Sequence, residues 1–249
     1  MAVKTKIYFA SDFHLGTPTH AKSREREDRI VRWLDLVQED ASAIYLLGDL
    51  FDFWFEYRTV IPRGFIRLQG KLAEIADKGI PLYFFTGNHD MWMFDYFTRE
   101  LGVEIYREPV IREYNGKRFY IGHGDGLGPG DRRYKFLKRF FNSSLCQRLF
   151  ACLHPDLGMG IAQRWSKSSR AANDQKETFL GQDKEWLVIY AKELLKKEHF
   201  DYFVFGHRHL PLDIRISSGS RYVNLGDWLH YNSYAVFDGQ DLELNYFRG

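Results

Sequence analysis

The chain predicts an α/β fold, and three observations carry that expectation. Short apolar runs alternate with helix-length amphipathic stretches along the first part of the chain. Each apolar run ends in Gly, Ser or Thr and then in polar residues able to bind a metal. From about residue 212 to 249 the pattern changes to short strands with close turns. Strand-helix alternation builds a helix-covered sheet, and such sheets collect ligands at their strand ends. With 249 residues, 45% of them hydrophobic, the chain is long enough to bury a core of this kind.

The elements follow in order. KIYFASDFH (6–14), AIYLLGDLFD (43–52) and PLYFFTGNHD (81–90) each begin as a continuous apolar run, as strands buried on both faces require. Between the first two, residues 23–39 place Ile30, Trp33, Leu34 and Val37 at helical spacing. Residues 66–78 do the same with Leu68, Leu72 and Ile75 before Gly79, a helix stop. RFYIGHGD (118–125) and YFVFGHRH (202–209) repeat the strand-end pattern, and RYVNLGDW (221–228) is a weaker sixth case. The tail runs DIRIS, RYVNLG, SYAVFDG and DLELNYF predict a second, largely antiparallel sheet packed on the first.

The span of about 126–200 reads as helical and as a cap inserted into one domain covering 1–249. Tyr134, Leu137, Phe140 and Phe141 form one apolar stripe, which breaks at Asn142-Ser143-Ser144 and resumes at Leu145, Leu149, Phe150 and Leu153. Charge concentrates here too. Residues 131–176 hold ten Lys and Arg against three Asp, although the whole chain has a net charge of only +2. So small a total implies no general attraction to nucleic acid, and no nucleic-acid partner is expected. DRRYKFLKRFF has the basic, aromatic make-up of a helix that lies on an anionic membrane. An ordinary amphipathic helix packed on the core has the same pattern.

Two cysteines, Cys146 and Cys152, offer neither a zinc spacing nor a disulfide framework, which fits a reducing compartment. MAVKTKIYFASD lacks the apolar stretch of a signal peptide. No apolar run approaches the ~20 residues of a membrane span. A cytoplasmic protein is expected, touching a membrane only from its surface.

The strand ends together hold Asp12, His14, Asp49, Asn88, His123, His207 and His209. His207 and His209, at i and i+2, point to one side of an extended backbone. By itself such a pair is more often accidental than ligating. Four imidazoles, two carboxylates and one amide are too many donors for one metal and suit two, if one carboxylate bridges. Divalent ions ~3.5–4 Å apart serve phosphoryl transfer. The mixed donors suit Mn, Fe, Zn or Co, and ligand type alone does not choose among them.

DFH, GDLFD, GNHD, GHGD and GHRH, in that order over residues 12–209, resemble the calcineurin-like metallophosphoesterase superfamily. The resemblance implies a four-layer sandwich, two mixed sheets flanked by helices. It implies one metal on Asp12, His14, Asp49 and His209 and another on Asp49, Asn88, His123 and His207, with Mn²⁺ the expected ion. Asp52 is expected to stand behind the ligands and not among them.

Beyond the metal motifs, Asp131 follows the GHGD histidine by eight residues, Tyr134 lies three further on, and SSRAANDQK supplies Ser169, Asn173 and Lys176. The last three fall at i, i+4 and i+7, one face of a helix. This resembles the UDP-2,3-diacylglucosamine pyrophosphatase family of lipid A synthesis. The resemblance implies hydrolysis of UDP-2,3-diacylglucosamine to 2,3-diacylglucosamine 1-phosphate (lipid X) and UMP. Asp131, Ser169, Asn173 and Lys176, with Asn88, His89 and His207, would contact substrate, and cap aromatics would bury the acyl chains. A monomer on the cytoplasmic face of the inner membrane is expected.

One departure stands out. Members of that family commonly read GNRD where this chain reads GNHD, so His89 takes the general superfamily form. The expected role for His89 is auxiliary, with Asn88, in stabilising the leaving oxygen. Rival readings are a broader phosphodiesterase or pyrophosphatase acting on another nucleotide-linked or lipid substrate, a nuclease, and a metal-free scaffold. A scaffold would be expected to lose ligands, and all seven are present.

Overall fold

A computed structural model of the chain describes residues 4–130, 132–173 and 178–249, with the side chains at 133 and 167–173 outside the description. Two sheets form its centre. The first holds β1 (Lys6–Ala10), β2 (Ala41–Leu47), β3 (Leu82–Phe85), β4 (Glu104–Tyr106), β10 (Ser233–Phe237) and β11 (Leu242–Tyr246), in the order β11-β10-β1-β2-β3-β4. The second holds β5 (Val110–Tyr114), β6 (Lys117–Gly122), β7 (Tyr202–Phe205), β8 (Pro211–Ser217) and β9 (Ser220–Leu225), in the order β5-β6-β7-β9-β8. β1 to β4 run parallel, as do β6, β7 and β9, and antiparallel strands complete the edges.

The period-2 alternation of strand side chains assembles the layers. In β1, Ile7 and Phe9 enter the core between the sheets, whereas Tyr8 and Ala10 face the other way. That outer face is covered by α1 (His20–Val37) and α2 (Ile66–Asp77) through Ile30, Trp33, Leu34, Val37, Leu68, Leu72 and Ile75, the residues their spacing predicts. In β7, Tyr202 and Val204 join the inter-sheet core, while Phe203 and Phe205 meet α7 (Trp186–Leu195) on the far side. The result is four layers: helix, sheet, sheet, helix.

The tail departs from the sequence expectation. Its four strands do not make a sheet of their own. The β8-β9 hairpin extends the second sheet, and the β10-β11 hairpin pairs with β1 in the first, Ile7 opposite Phe237. The chain crosses between sheets after Leu225, where the Ser233 hydroxyl donates to the Leu225 carbonyl at 2.6 Å. Gly226, at φ 68°, permits this crossing, since a Cβ there would lie 2.4 Å from the Ser233 Oγ. Without β10, the other side of β1 would leave its backbone groups unpaired.

Between β6 and α7 stand α4 (Arg132–Phe141), α5 (Ser144–Ala151) and α6 (Pro155–Asn173). Ser143 ends the first apolar stripe and caps α5 through the Cys146 N–H. These helices lean over the strand ends, and the Trp92 indole donates to the Phe141 carbonyl at 2.9 Å. α3 (Tyr96–Leu101) packs beside α2 and buries Phe97 in the same outer-face core.

Candidate metal centre

Five strands, three from the first sheet and two from the second, deliver the predicted donors to one place. Asp12 and His14 follow β1, Asp49 follows β2, Asn88 follows β3, His123 follows β6, and His207 and His209 follow β7. The loops keep pairing after the strands end. Asp12 N–H donates to the Gly48 carbonyl at 3.0 Å and His14 N–H to the Asp49 carbonyl at 2.9 Å. Buried Arg26 of α1 clamps this loop by donating to the carbonyls of His14 and Thr17.

The backbone is strained where the donors are. Among the described residues, eight other than glycine have positive φ, and five of them are Asp12, His14, Asp49, His207 and His209. The left-handed region costs a non-glycine residue of order 1–3 kcal/mol, so this concentration marks a site. The neighbouring glycines permit the crowding. A Cβ on Gly206 would lie 2.5 Å from Asp12 Oδ2, and one on Gly87 would lie 2.2 Å from Asp49 Oδ1.

Each carboxylate is half satisfied. Asp12 Oδ2 accepts from the His207 N–H at 3.0 Å, and Asp49 Oδ1 accepts from the His89 N–H at 2.8 Å. Their other oxygens, Asp12 Oδ1 and Asp49 Oδ2, are buried without a hydrogen-bond partner. Buried oxygens in this state are costly unless a cation meets them. His14 Nε2 and His209 Nε2 face each other at 3.0 Å, with Asp12 Oδ1 3.1 Å from the latter. Two lone-pair nitrogens at that separation repel unless a proton or metal lies between them.

The donors form two sets that share Asp49. Asp12, His14, Asp49 and His209 bring one atom each within 4.8 Å of one another, as do Asp49, His123 and His207. Asn88 Oδ1 joins the second set, 3.4 Å from His123 Nε2. His123 Nδ1 donates to the Leu47 carbonyl at 2.6 Å, which fixes the tautomer and leaves Nε2 for the site. Asp52 Oδ1 stands 3.9 Å from His14 Nδ1, behind the donors. All of this fits a divalent cation.

Electrostatics support the same reading. Burial pulls His123 down, but the Asp49 charge, with Asp12 and Asp125, outweighs it and carries the imidazole up to about 10. Burial is likewise outweighed at His209, which Asp12 raises to about 9. His14 falls to about 4 through burial, and His207 to about 4 through burial and the His123 charge. Burial would raise Asp12 and Asp49, yet the surrounding imidazoles hold both carboxyls below the usual range. Asp90 behaves oppositely: burial and the Asp49 charge push it up to about 7, despite N–H bonds from Gly87 and Leu50.

From the donors a cavity of about 330 Å³ opens beneath α4 to α6. Asn88, His89 and Asp52 line its polar end, while Phe53, Trp92, Phe141, Phe150 and Trp165 form much of its apolar wall. Tyr134 also lines it, and its hydroxyl donates to Asp125 at 2.6 Å, beside the Lys138 ammonium. Of the predicted substrate contacts, Asp131 and Lys176 lie outside the described residues. Ser169 and Asn173 fall within α6, but their side chains lie outside the description. Asp90, Asp125 and Ser166 have functional surroundings that sequence reasoning missed. The first two close the GNHD and GHGD motifs and were open to reading there; nothing in the sequence marks Ser166.

The sequence pattern of the calcineurin-like phosphoesterase family matches residues 5–211. Among curated relatives, a UDP-2,3-diacylglucosamine hydrolase of Porphyromonas gingivalis is 41% identical over 97% of this chain and 97% of its own. Two others of the same name, from Shewanella baltica and a Shewanella species, are 30% and 29% identical over 96% of this chain and 96% and 97% of theirs.

Proposed function

Since the chain belongs to the calcineurin-like phosphoesterase family, we infer that it hydrolyses UDP-2,3-diacylglucosamine to 2,3-diacylglucosamine 1-phosphate and UMP. The observation that carries this substrate is the continuity of one cavity, polar at Asn88 and His89 and aromatic from Trp92 to Trp165. A phosphate group and an acyl chain of one molecule need that pairing of ends.

Two divalent ions, Mn²⁺ by preference, would be held by Asp12, His14, Asp49 and His209 and by Asp49, Asn88, His123 and His207, with Asp49 shared. When bound, such ions activate water and neutralise phosphate charge. The chain's own residues do the rest. Asn88 and His207 bring polar groups to the phosphate. His89 holds the charge that builds on the leaving sugar 1-phosphate. Asp131, Ser169, Asn173 and Lys176 grip the head group and its diphosphate, and the aromatic wall takes the acyl chains.

Helices α4 to α6 act as a cap on a monomeric enzyme resting on the cytoplasmic face of the inner membrane. Phe136 (70% exposed), Leu145 (66%) and Leu149 (62%) support this reading, because they offer apolar surface amid the cap's positive charge. No helix among the described residues is long and apolar enough to cross a membrane.

The test is to incubate metal-stripped protein with UDP-2,3-diacylglucosamine, with and without Mn²⁺, and to follow UMP by chromatography. UMP formed only with metal is the expected result. Cleavage of a simple aryl phosphodiester without cleavage of the lipid would overturn the substrate assignment and leave the metal centre standing.

A further inference from the structure

The His89 ring is held by two groups, one of which comes from far along the chain. Its Nδ1 lies 3.0 Å from the Asp52 main-chain carbonyl and 3.3 Å from the Ser166 hydroxyl. A carbonyl can only accept, so Nδ1 carries the hydrogen and Nε2 is the nitrogen left for substrate. The Asp52 carboxylate is not itself bonded to the ring, since its Oδ1 stands 3.9 Å from Nδ1. Ser166 spans that gap. Its hydroxyl donates to Asp52 Oδ2 at 2.9 Å, which leaves oxygen lone pairs facing the His89 N–H. The hydroxyl is buried and comes from α6, 114 positions from Asp52.

We propose that Ser166 is a positioning residue for His89. Its hydroxyl links the Asp52 carboxylate to the imidazole, holds the ring with Nε2 toward substrate, and does so only when α6 is seated. α6 runs on to Asn173, so the helix proposed to grip the head group is also the one that aligns His89. The assignment rests on the role given to His89 at the leaving oxygen. It makes binding on α6 and alignment of the histidine one event.

Thr and Val have the same shape and differ in the hydroxyl, so Ser166→Thr and Ser166→Val isolate the bond from the packing. Both are assayed with Mn²⁺ on UDP-2,3-diacylglucosamine and on the phenyl and p-nitrophenyl esters of thymidine 5′-phosphate. Ser166→Val is expected to lose about tenfold or more in kcat on the lipid and the phenyl ester, with little change in KM. Ser166→Thr should stay near wild type. The p-nitrophenyl ester, whose leaving charge spreads onto the nitro group and away from His89, should lose less. In a His89→Ala background, Ser166→Val should add no further loss. Ser166→Ala replaces the Val variant if that one does not fold.

Equal activity of the Thr and Val variants would overturn the proposal. So would independent, multiplying losses from Ser166→Val and His89→Ala. A wild type that cleaves the phenyl ester but not the lipid would defeat the substrate assignment alone. The Thr-against-Val comparison on the ester would then still decide the role of Ser166.

Discussion

Arg208 separates the two donors His207 and His209, and its burial makes a sharp prediction. The residue is 5% exposed and its partner Glu185 is 1% exposed. Nε and Nη2 of the guanidinium donate to the two Glu185 oxygens at 3.0 and 3.2 Å, and Nη2 also donates to the Thr178 carbonyl at 3.0 Å. The guanidinium lies 5.3 Å from the centre of the Trp186 ring. Arg208→Met keeps much of the stem volume and removes the charge, leaving Glu185 buried without its cation and with the Leu180 N–H at 3.1 Å. Removing one partner of a buried pair costs about 3–5 kcal/mol, whereas replacing both by apolar groups is often neutral.

Urea titration should therefore show Arg208→Met less stable by about 3–5 kcal/mol at an unchanged slope. Arg208→Met with Glu185→Met should recover most of that loss, a coupling that a double-mutant cycle measures directly. The same cut should weaken metal binding, because both flanking histidines hold strained backbone that Arg208 helps to keep in place. Mn²⁺ should accordingly raise the melting temperature of Arg208→Met less than that of wild type. A loss below about 1 kcal/mol, or a double variant that is simply additive, would refute the assignment of this pair as the anchor of the donor loop.

Three further outcomes are expected. Asp49→Ala and Asn88→Ala should abolish turnover while circular dichroism stays native, and in Asp49→Ala added Mn²⁺ should no longer raise the melting temperature. Metal affinity should fall as pH falls, because His123 and His209, raised to about 10 and 9, hold protons that the metal must displace. Near neutral pH about two protons should leave per protein, read by calorimetry in buffers of different ionisation enthalpy. Lys176→Ala should cost about tenfold or more in kcat/KM on the lipid substrate and spare a small diester; equal losses on both would remove its role at the diphosphate.

The donors were legible in the chain because each sits just after a strand, where a local apolar run and its stop are written side by side. Asp12, His14, Asp49, Asn88, His123, His207 and His209 could be gathered without coordinates. Helices α1 and α2 were legible for the same reason, through their periodicity. β5 was open to reading too, since Asn115-Gly116 joins two alternating runs as a hairpin turn, at φ 50° and 75°.

What the sequence by itself determined, then, is the set of periodic elements and the chemistry at their ends, because both depend on neighbours within a few residues. Tertiary structure alone decided where similar pieces went. The two C-terminal hairpins have similar alternation, yet one extends the second sheet and the other pairs with β1. β9 finds its partner in nearby β7, whereas β10 depends on backbone groups of β1 at the other end of the chain. The same holds for Ser166. Its meaning comes from Asp52 and His89, and a hydroxyl carries no local pattern that could announce partners across 114 and 77 positions.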